Sequence, residues 1–232
     1  MNRNLRFATC LLLATSSRAL FATPADDVTA AAKKLGDQAN YSWTATSVSA
    51  SGGFTPGPVN GKTEKGGATY VTSSFGDNSM EVVLQGDKGA VKGQDGWQSL
   101  AEADQAEGPG RFIGVIARNT KIPAATAVDL AAHTAALKLV DGAYVSELTA
   151  DGVKAQLAFG GRDGNGPAIA NPKGSVKFWL KDGLLAKYEV TLQASMNFNG
   201  NDFPIDQTTT VEVKDVGTTK VEPPAEAKKK MT

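Results

Sequence analysis

The clearest pattern in the chain is a strict alternation of apolar and polar residues between positions 187 and 198. Every second residue in this stretch is apolar, and the residues between them are polar or charged. A period of two maintained over this length predicts a long β-strand with one apolar and one solvated face. The apolar face carries Tyr188, Val190, Leu192, Ala194, Met196 and Phe198.

Two further strands are predicted on either side of this one. Residues 175–180 form a strand that reaches residue 187 through a turn at Lys181-Asp182-Gly183. Residues 199–202 form a hairpin turn, and residues 206–216 return as a third strand. Residues 160–174, rich in glycine, proline and asparagine, predict a loop before this meander.

The first half of the chain predicts one helix followed by strands. Asp26 and Asp27 resemble a helix start, and apolar residues follow at helical spacing as far as Leu35. Alternation then predicts strands at 41–49, 68–75, 79–85 and 90–100. The glycine- and proline-rich residues 51–61 are predicted to form a loop.

The middle of the chain is more helical. Residues 101–106 and 124–137 predict helices, whereas residues 111–118 fit either a helix or a strand. Strand pattern returns at 137–148, and Thr149 begins a short helix through 159. The order of these predicted helices and strands indicates an α+β protein with one domain, residues 23–222. Its single antiparallel β-sheet is expected to be curved, with helices covering the concave face.

The charge composition and the two terminal segments bear on the partners and the location of the protein. The 24 basic and 24 acidic residues leave no basic excess, so nucleic acid is not an expected partner. Residues 1–22 combine basic positions, a short apolar run and Ala22, which predicts a signal peptide and export to the periplasm or the extracellular space. Cys10 lies in this segment, so the mature domain would lack a disulfide. Residues 223–232 are predicted to be a polar C-terminal tail, in which residues 225–230 form either a short polar terminus or a last turn of helix.

Residues suited to catalysis are few. His133 is the single histidine, and no G-x-S-x-G motif accompanies it. A hydrolase based on His133 or on an acidic pair, such as Glu102 with Asp104 or Asp202 with Asp206, stays an alternative. We expect no catalytic residue, no metal site, no cofactor and no enzymatic activity, because these residues lack the neighbours that such chemistry requires.

The remaining candidate residues are apolar and lie on predicted strands. They would line a common interior beneath the helices, which is either a solid core or a cavity for a hydrophobic ligand. The expected lining residues are Trp43, Tyr70, Trp97, Tyr188, Val190, Leu192, Met196 and Phe198.

The C-terminal third resembles a known group. Residues 178–190 (FWLKDGLLAKYEV) and 208–217 (TTTVEVKDVG) are similar to the end of LolA/LppX-like exported bacterial proteins, which carry lipoproteins and lipids. The resemblance implies an incomplete β-barrel, or half-barrel, with helices as a lid over a cavity for acyl chains. The implied partner is a lipid or an acylated protein, and a transient contact with a membrane or envelope protein would be compatible with that role.

Two functions follow from these observations. The leading hypothesis is an exported, non-catalytic protein that binds an acyl chain in the half-barrel, with residues 101–137 moving to open and close the cavity. The alternative is a structural or interaction protein of the cell envelope with a filled core. The sequence leaves the oligomeric state undetermined.

Overall fold

The computed structural model describes residues 23–50, 57–75, 78–93, 96–157, 168–198 and 200–231. Eleven strands and six helices lie within these ranges. In chain order they are α1 (Pro24–Gly36), β1 (Asn40–Ser49), β2 (Val59–Glu64), β3 (Thr69–Phe75), β4 (Asn78–Gln85), β5 (Lys88–Gly93), β6 (Gly96–Ser99), α2 (Leu100–Gln105), α3 (Pro109–Asn119), α4 (Pro123–Ala132), β7 (Lys138–Val140), β8 (Ala143–Glu147), α5 (Ala150–Leu157), β9 (Ala168–Lys181), β10 (Leu184–Phe198), β11 (Asn201–Lys214) and α6 (Ala225–Lys230).

All the strands belong to one antiparallel sheet in the order β6-β5-β4-β3-β2-β1-β11-β10-β9-β8-β7. Consecutive strands pair with each other except β6 and β7, which lie at the two edges of the sheet. At the centre, β1 pairs with β11. The sheet is curved and does not close into a barrel, and helices cover its concave face. The predicted α+β half-barrel is confirmed.

Helix α1 packs over β10 and β9 on the concave face. Thr23 caps it: the Thr23 hydroxyl accepts a hydrogen bond from the Asp26 N–H, and the Asp26 carboxylate accepts one from the Thr23 N–H. The helix therefore begins slightly earlier than Asp26, where the sequence suggested a start. The buried side of the helix consists of Val28, Ala31, Ala32 and Leu35, which is the apolar face that the spacing predicted.

The long meander β9–β10–β11 is confirmed, but β9 begins at Ala168 rather than at residue 175. The sequence before Gly174 resembles a loop because it contains Asn171 and Pro172. In the structure both residues form a β-bulge opposite Ala194, and Asn171 adopts a left-handed φ of 52°. The bulge lets the strand continue through a sequence that would otherwise end it.

Other boundaries also differ from the expectations. Strand β2 occupies residues 59–64, part of which was predicted to be loop. Residues 109–119 form a helix, which resolves the ambiguity over residues 111–118. Helix α4 ends at Ala132 rather than at residue 137, because Thr134 already pairs with Leu148 beside the sheet.

A second hydrophobic cluster lies on the opposite, convex face of β3–β6. It forms beneath the C-terminal segment, whose helix α6 buries Ala227 completely. The last residues are therefore packed on the sheet instead of forming only a polar tail. The buried members of this cluster are Ala68, Val83, Ala90, Trp97 and Ala227, with Tyr70, Val221 and Met231 packed against them.

Several predictions fall outside the described residues. These are the signal peptide at 1–22, residues 51–56 of the predicted loop 51–61, the end of the helix predicted through residue 159, and residues 160–167 of the predicted loop 160–174. None of the helices in the described ranges combines the length and the apolar character needed to cross a bilayer.

Candidate ligand-binding face

The concave face carries apolar rows that run across the strands. Cross-strand partners share a face of a sheet, so the register shows which side chains lie side by side. One row crosses eight strands, with Tyr188 and Val211 near its middle. From one side to the other it contains Met80, Ser73, Val59, Ala45, Val211, Tyr188, Phe178 and Tyr144.

Three of the predicted lining residues, Trp43, Tyr188 and Val190, lie in the main core on this face. The Tyr188 ring is tilted against Phe178 with centroids 6.3 Å apart, and the Trp43 ring lies 5.9 Å from that of Tyr41. Burial raises the pKa of Tyr188, and a hydrogen bond with Thr126 of α4 opposes that shift. The structure brings these residues together in a packed environment beneath the helices.

Tyr70 and Trp97 lie on the other face, which corrects the expectation of one common interior. They belong to the convex cluster under α6. Strand residues of opposite parity point to opposite faces, and Tyr70 differs in parity from the core residue Val71. The Tyr70 hydroxyl donates a hydrogen bond to Glu81. Burial is the main cause that raises the pKa of Tyr70 to about 12, and the hydrogen bond with Glu81 is the second.

An apolar strip continues along β10 beyond the core. Val190 is 6% exposed, whereas Leu192 and Met196 are partly exposed. Leu192 packs against the core, and so do Ile205, the partner of Ala194, and Ile169, the partner of Met196. Phe198 is in β10, but its side chain lies outside the described residues.

The outer end of the strip is formed by three adjacent strands. Met196 pairs with Ile169 on β9 and with Phe203 on β11, so the three side chains share the concave face. Phe203 is a large hydrophobic residue that is 53% exposed. Together with Leu192, Ala194 and Ile205, these residues form what we call the apolar strip.

The strip lies on an extension of the sheet. Strand β1 pairs with β11 only as far as Gln207, and β8 pairs with β9 only as far as Ser175. Among the described strands, β9, β10 and β11 therefore continue by about six residues beyond their neighbours, which is roughly 20 Å at 3.4 Å per residue.

The reverse side of the same strands is polar. Lys177 forms an ion pair with Glu189 at 2.9 Å, and the hydroxyls of Thr191 and Thr208 lie 3.0 Å apart. Farther out, the Gln193 amide donates to Asp206. The extension thus has one face suited to water and one suited to an apolar ligand.

Two buried polar groups on the concave side lack a hydrogen bond within the described structure: the hydroxyls of Tyr41 and Ser73. Burial raises the pKa of Tyr41, and the backbone of Ala124 lies near enough to oppose that shift. Ser73 is 6% exposed. Sequence reasoning missed Ser73, although its place two residues after Val71 in an alternating strand indicates that the two side chains share a face.

The residues considered for catalysis serve local structure. His133 caps the end of α4, and its Nδ1 donates to the Asp129 carbonyl oxygen at 2.7 Å. Glu102 caps α2 by accepting from the Ser99 N–H and also pairs with Lys230. No group of three or more potential metal ligands occurs among the residues that the structure describes.

The other members of the candidate acidic pairs also make local hydrogen bonds. Asp104 accepts hydrogen bonds from the guanidinium of Arg118, which joins α2 to α3. Asp202 accepts from the Asn197 amide at 2.8 Å, and Asp206 accepts from Gln193. These contacts are exposed and tie neighbouring strands or helices together.

Comparisons with known proteins gave matches in structure only. No protein-family model and no curated protein sequence matches the chain. Solved structures that match include LprF from Mycobacterium bovis (10% identity, TM-score 0.44, 87% of this chain and 96% of that one) and the Mycobacterium tuberculosis lipoprotein LppX (10%, 0.44, 86% and 97%). The S-type phycobiliprotein lyase CPES from Guillardia theta also matches (8%, 0.30, 84% and 97%).

At these identities and TM-scores, no ligand, partner or residue role is transferred to this chain. The functional assignment therefore has to come from the geometry of the concave face.

Proposed function

We propose that this protein is an exported, non-catalytic carrier that binds an acyl chain of a lipid or an acylated protein on the concave face of its half-barrel. The observation that carries the proposal is the apolar strip. It begins at the buried core beside Val190 and runs outward through Leu192 to Met196 and the exposed Phe203.

The shape of the strip suits an elongated ligand. It is long and narrow because it follows one face of three strands, and its reverse side is polar. A solvent-exposed apolar surface that is contiguous with a core is typical of a binding site. An extended acyl chain lying along β10 would contact Leu192, Ala194 and Met196 in turn.

Burial of the chain supplies the free energy of binding. Each CH₂ group removed from water contributes about 0.8 kcal/mol, so ten of them contribute roughly 8 kcal/mol before the cost of ordering the ligand. Affinity should therefore rise with chain length. This dependence separates an acyl-chain site from a surface that binds a folded protein partner.

Access to the inner part of the face would require the helical region around residues 101–137 to move. Helices α2 and α3 are joined by the ion pair of Asp104 with Arg118, in which both side chains are partly exposed. Such surface pairs contribute only about 0–1 kcal/mol each. The larger cost of displacement comes from side chains that the region buries in the main core, among them Ala103, Ala127 and Leu130. An acyl chain that takes their place would cover the apolar surface exposed by the movement.

The contacts of His133 and the acidic residues support a non-catalytic function. His133 uses Nδ1 to hold its own helix end, and Glu102 and Asp104 are engaged in capping and ion pairs. The alternative function, an envelope interaction protein with a filled core, is favoured by the deep burial of Trp43 and Tyr188.

Native mass spectrometry distinguishes the two functions. The full chain is produced in a bacterial host that exports it, purified from the exported fraction and sprayed under conditions that retain lipids. A discrete adduct with the mass of a lipid is the expected result. A ligand-free mass that persists after incubation with phospholipid vesicles would contradict the carrier and support the filled core.

A further inference from the structure

Ser73 places a polar group inside an apolar surface. It lies on β3 with Val59 and Met80 as its cross-strand neighbours, and it is 6% exposed. Its hydroxyl makes no hydrogen bond within the described structure. A buried hydroxyl without a partner costs about 1–3 kcal/mol, so its presence requires a physical explanation.

A trapped water molecule does not provide that explanation. A buried water needs two to four polar partners. The side chains across the strand on both sides of Ser73 are hydrocarbon or thioether, and Val71 precedes it on the same face. Within the described sheet, the side chains beside Ser73 supply no polar group that could hold such a water, whereas a bound ligand could bring a partner for the hydroxyl.

The position of Ser73 connects it with the proposed binding face. The row that contains Ser73 continues through Val59, Ala45 and Val211 to Tyr188, all on the helix-covered side. Four strand spacings separate Ser73 from Tyr188, about 19 Å along the sheet at 4.8 Å per strand. The hydroxyl therefore faces the same interior as the inner end of the apolar strip.

The chemistry around Ser73 selects the kind of polar group that it would bind. A carboxylate or phosphate buried here would need a compensating cation. Thr63 and Ser73 are the buried polar residues of the described chain, and neither carries a charge. A neutral carbonyl can accept the hydroxyl hydrogen without that penalty.

We propose that Ser73 donates a hydrogen bond to the ester carbonyl of a bound acyl chain and so makes the face selective for ester-linked lipids. This inference rests on the proposed function and specifies its ligand. Tyr41 is not included, because the backbone of Ala124 lies beside its hydroxyl.

The test compares two matched lipids. The probes are 1-monopalmitoylglycerol, which has an ester carbonyl, and 1-O-hexadecylglycerol, in which an ether replaces the ester. Binding to the full chain is measured by calorimetry. We expect the wild type to bind the ester roughly three- to tenfold more tightly than the ether, and Ser73→Ala to lose that preference, which is the usual effect of one neutral hydrogen bond.

A stability measurement makes the test independent of folding defects. Ser73→Ala removes an unpaired hydroxyl, so it should leave the ligand-free protein equally or more stable. Thr63→Val is the matched control, because Thr63 is also buried but its hydroxyl lies 2.8 Å from that of Thr69. The control should lower stability and retain the preference for the ester.

The outcomes separate the two proposals. Equal binding of ester and ether by the wild type would overturn the role of Ser73 and leave the carrier function intact. A Ser73→Ala protein that is less stable without ligand would also overturn it, because the hydroxyl would then have a partner already. Failure to bind either lipid would contradict the carrier function itself, and this inference with it.

Discussion

The indole of Trp43 occupies the space in which a side chain at Gly61, its cross-strand partner, would lie. A β-carbon on Gly61 would overlap the Cζ2 and Cε2 atoms of the indole at well under van der Waals separation. The absence of a side chain on β2 thus lets a large aromatic ring lie over the centre of the sheet. The two residues form one packing unit of the concave face.

Gly61→Ala should therefore destabilise the protein. The new methyl group forces the indole or the strand to shift, and overpacking of this kind costs about 1–3 kcal/mol. The free energy of unfolding, measured by urea denaturation, is expected to fall by that amount. In a Trp43→Leu background the same change should cost much less, because the overlapping ring atoms are absent.

Gly36→Ala is the control that tests whether replacing a glycine by alanine away from Trp43 changes stability. Gly36 ends α1, and a β-carbon there would meet Ala124 at an ordinary contact distance of 3.4 Å. Its replacement should be neutral or slightly stabilising, since alanine restricts the unfolded chain. Equal losses for Gly36→Ala and Gly61→Ala would show that the Trp43 contact is not the cause.

A charge on the apolar strip should weaken acyl-chain binding. Met196→Glu introduces a carboxylate into the path of the proposed ligand, and the affinity for a palmitoyl lipid should fall at least about tenfold because the carboxylate must be desolvated. Leu192→Glu, closer to the core, should have the same effect with a larger loss of stability. Calorimetric titration of the folded variants measures the change.

Ser195→Glu is the matched control for Met196→Glu. Ser195 is the preceding residue of β10 and points to the polar reverse face. Its replacement adds the same charge to the same strand without entering the strip. Unchanged lipid affinity in Met196→Glu, or equal losses in both variants, would contradict binding along the strip.

Much of the fold was predictable from local pattern. The alternation in β10 identified the face on which Tyr188 and Val190 are buried, and helical spacing identified the buried side of α1. These elements have one apolar and one polar face, so their period defines both the element and its orientation.

The remaining features depend on contacts that are distant in sequence. Strand β2 resembles a loop because it contains Gly61, and the reason for that glycine is Trp43 on another strand. Tyr70 and Val71 are adjacent and both contact apolar clusters, one on each face. A strand covered on both sides carries no alternation to show which side chain lies on the concave face.

Helix α6 docks on β5 and β6 and completes the convex cluster against which Tyr70 of β3 packs, and this docking can be tested. Ala227 is 0% exposed against the convex cluster, so Ala227→Asp would bury an unpaired carboxylate or displace the helix. We expect a loss of about 2–4 kcal/mol in unfolding free energy. The exposed Ala225, at the start of the same helix, provides the control: Ala225→Asp should change stability by less than about 0.5 kcal/mol.

Glu102 links this C-terminal helix to α2 through a charge that can be titrated. The hydrogen bond from Lys230, together with those from the Ser99 backbone and hydroxyl, lowers the pKa of Glu102 to about 2. A carboxyl whose pKa is lowered in the folded state adds stability above its unfolded pKa of about 4.3 and loses it as the pH falls towards the folded value. Wild type should thus be more stable than Glu102→Gln at pH 6, and the difference should vanish between about pH 4.3 and pH 2.

Thermal unfolding of both proteins across this pH range measures the difference in stability. Lys230→Ala is expected to raise the pKa of Glu102 in an NMR titration. A stability difference that is the same at pH 6 and at pH 2 would show that the charge of Glu102 does not hold the two helices together.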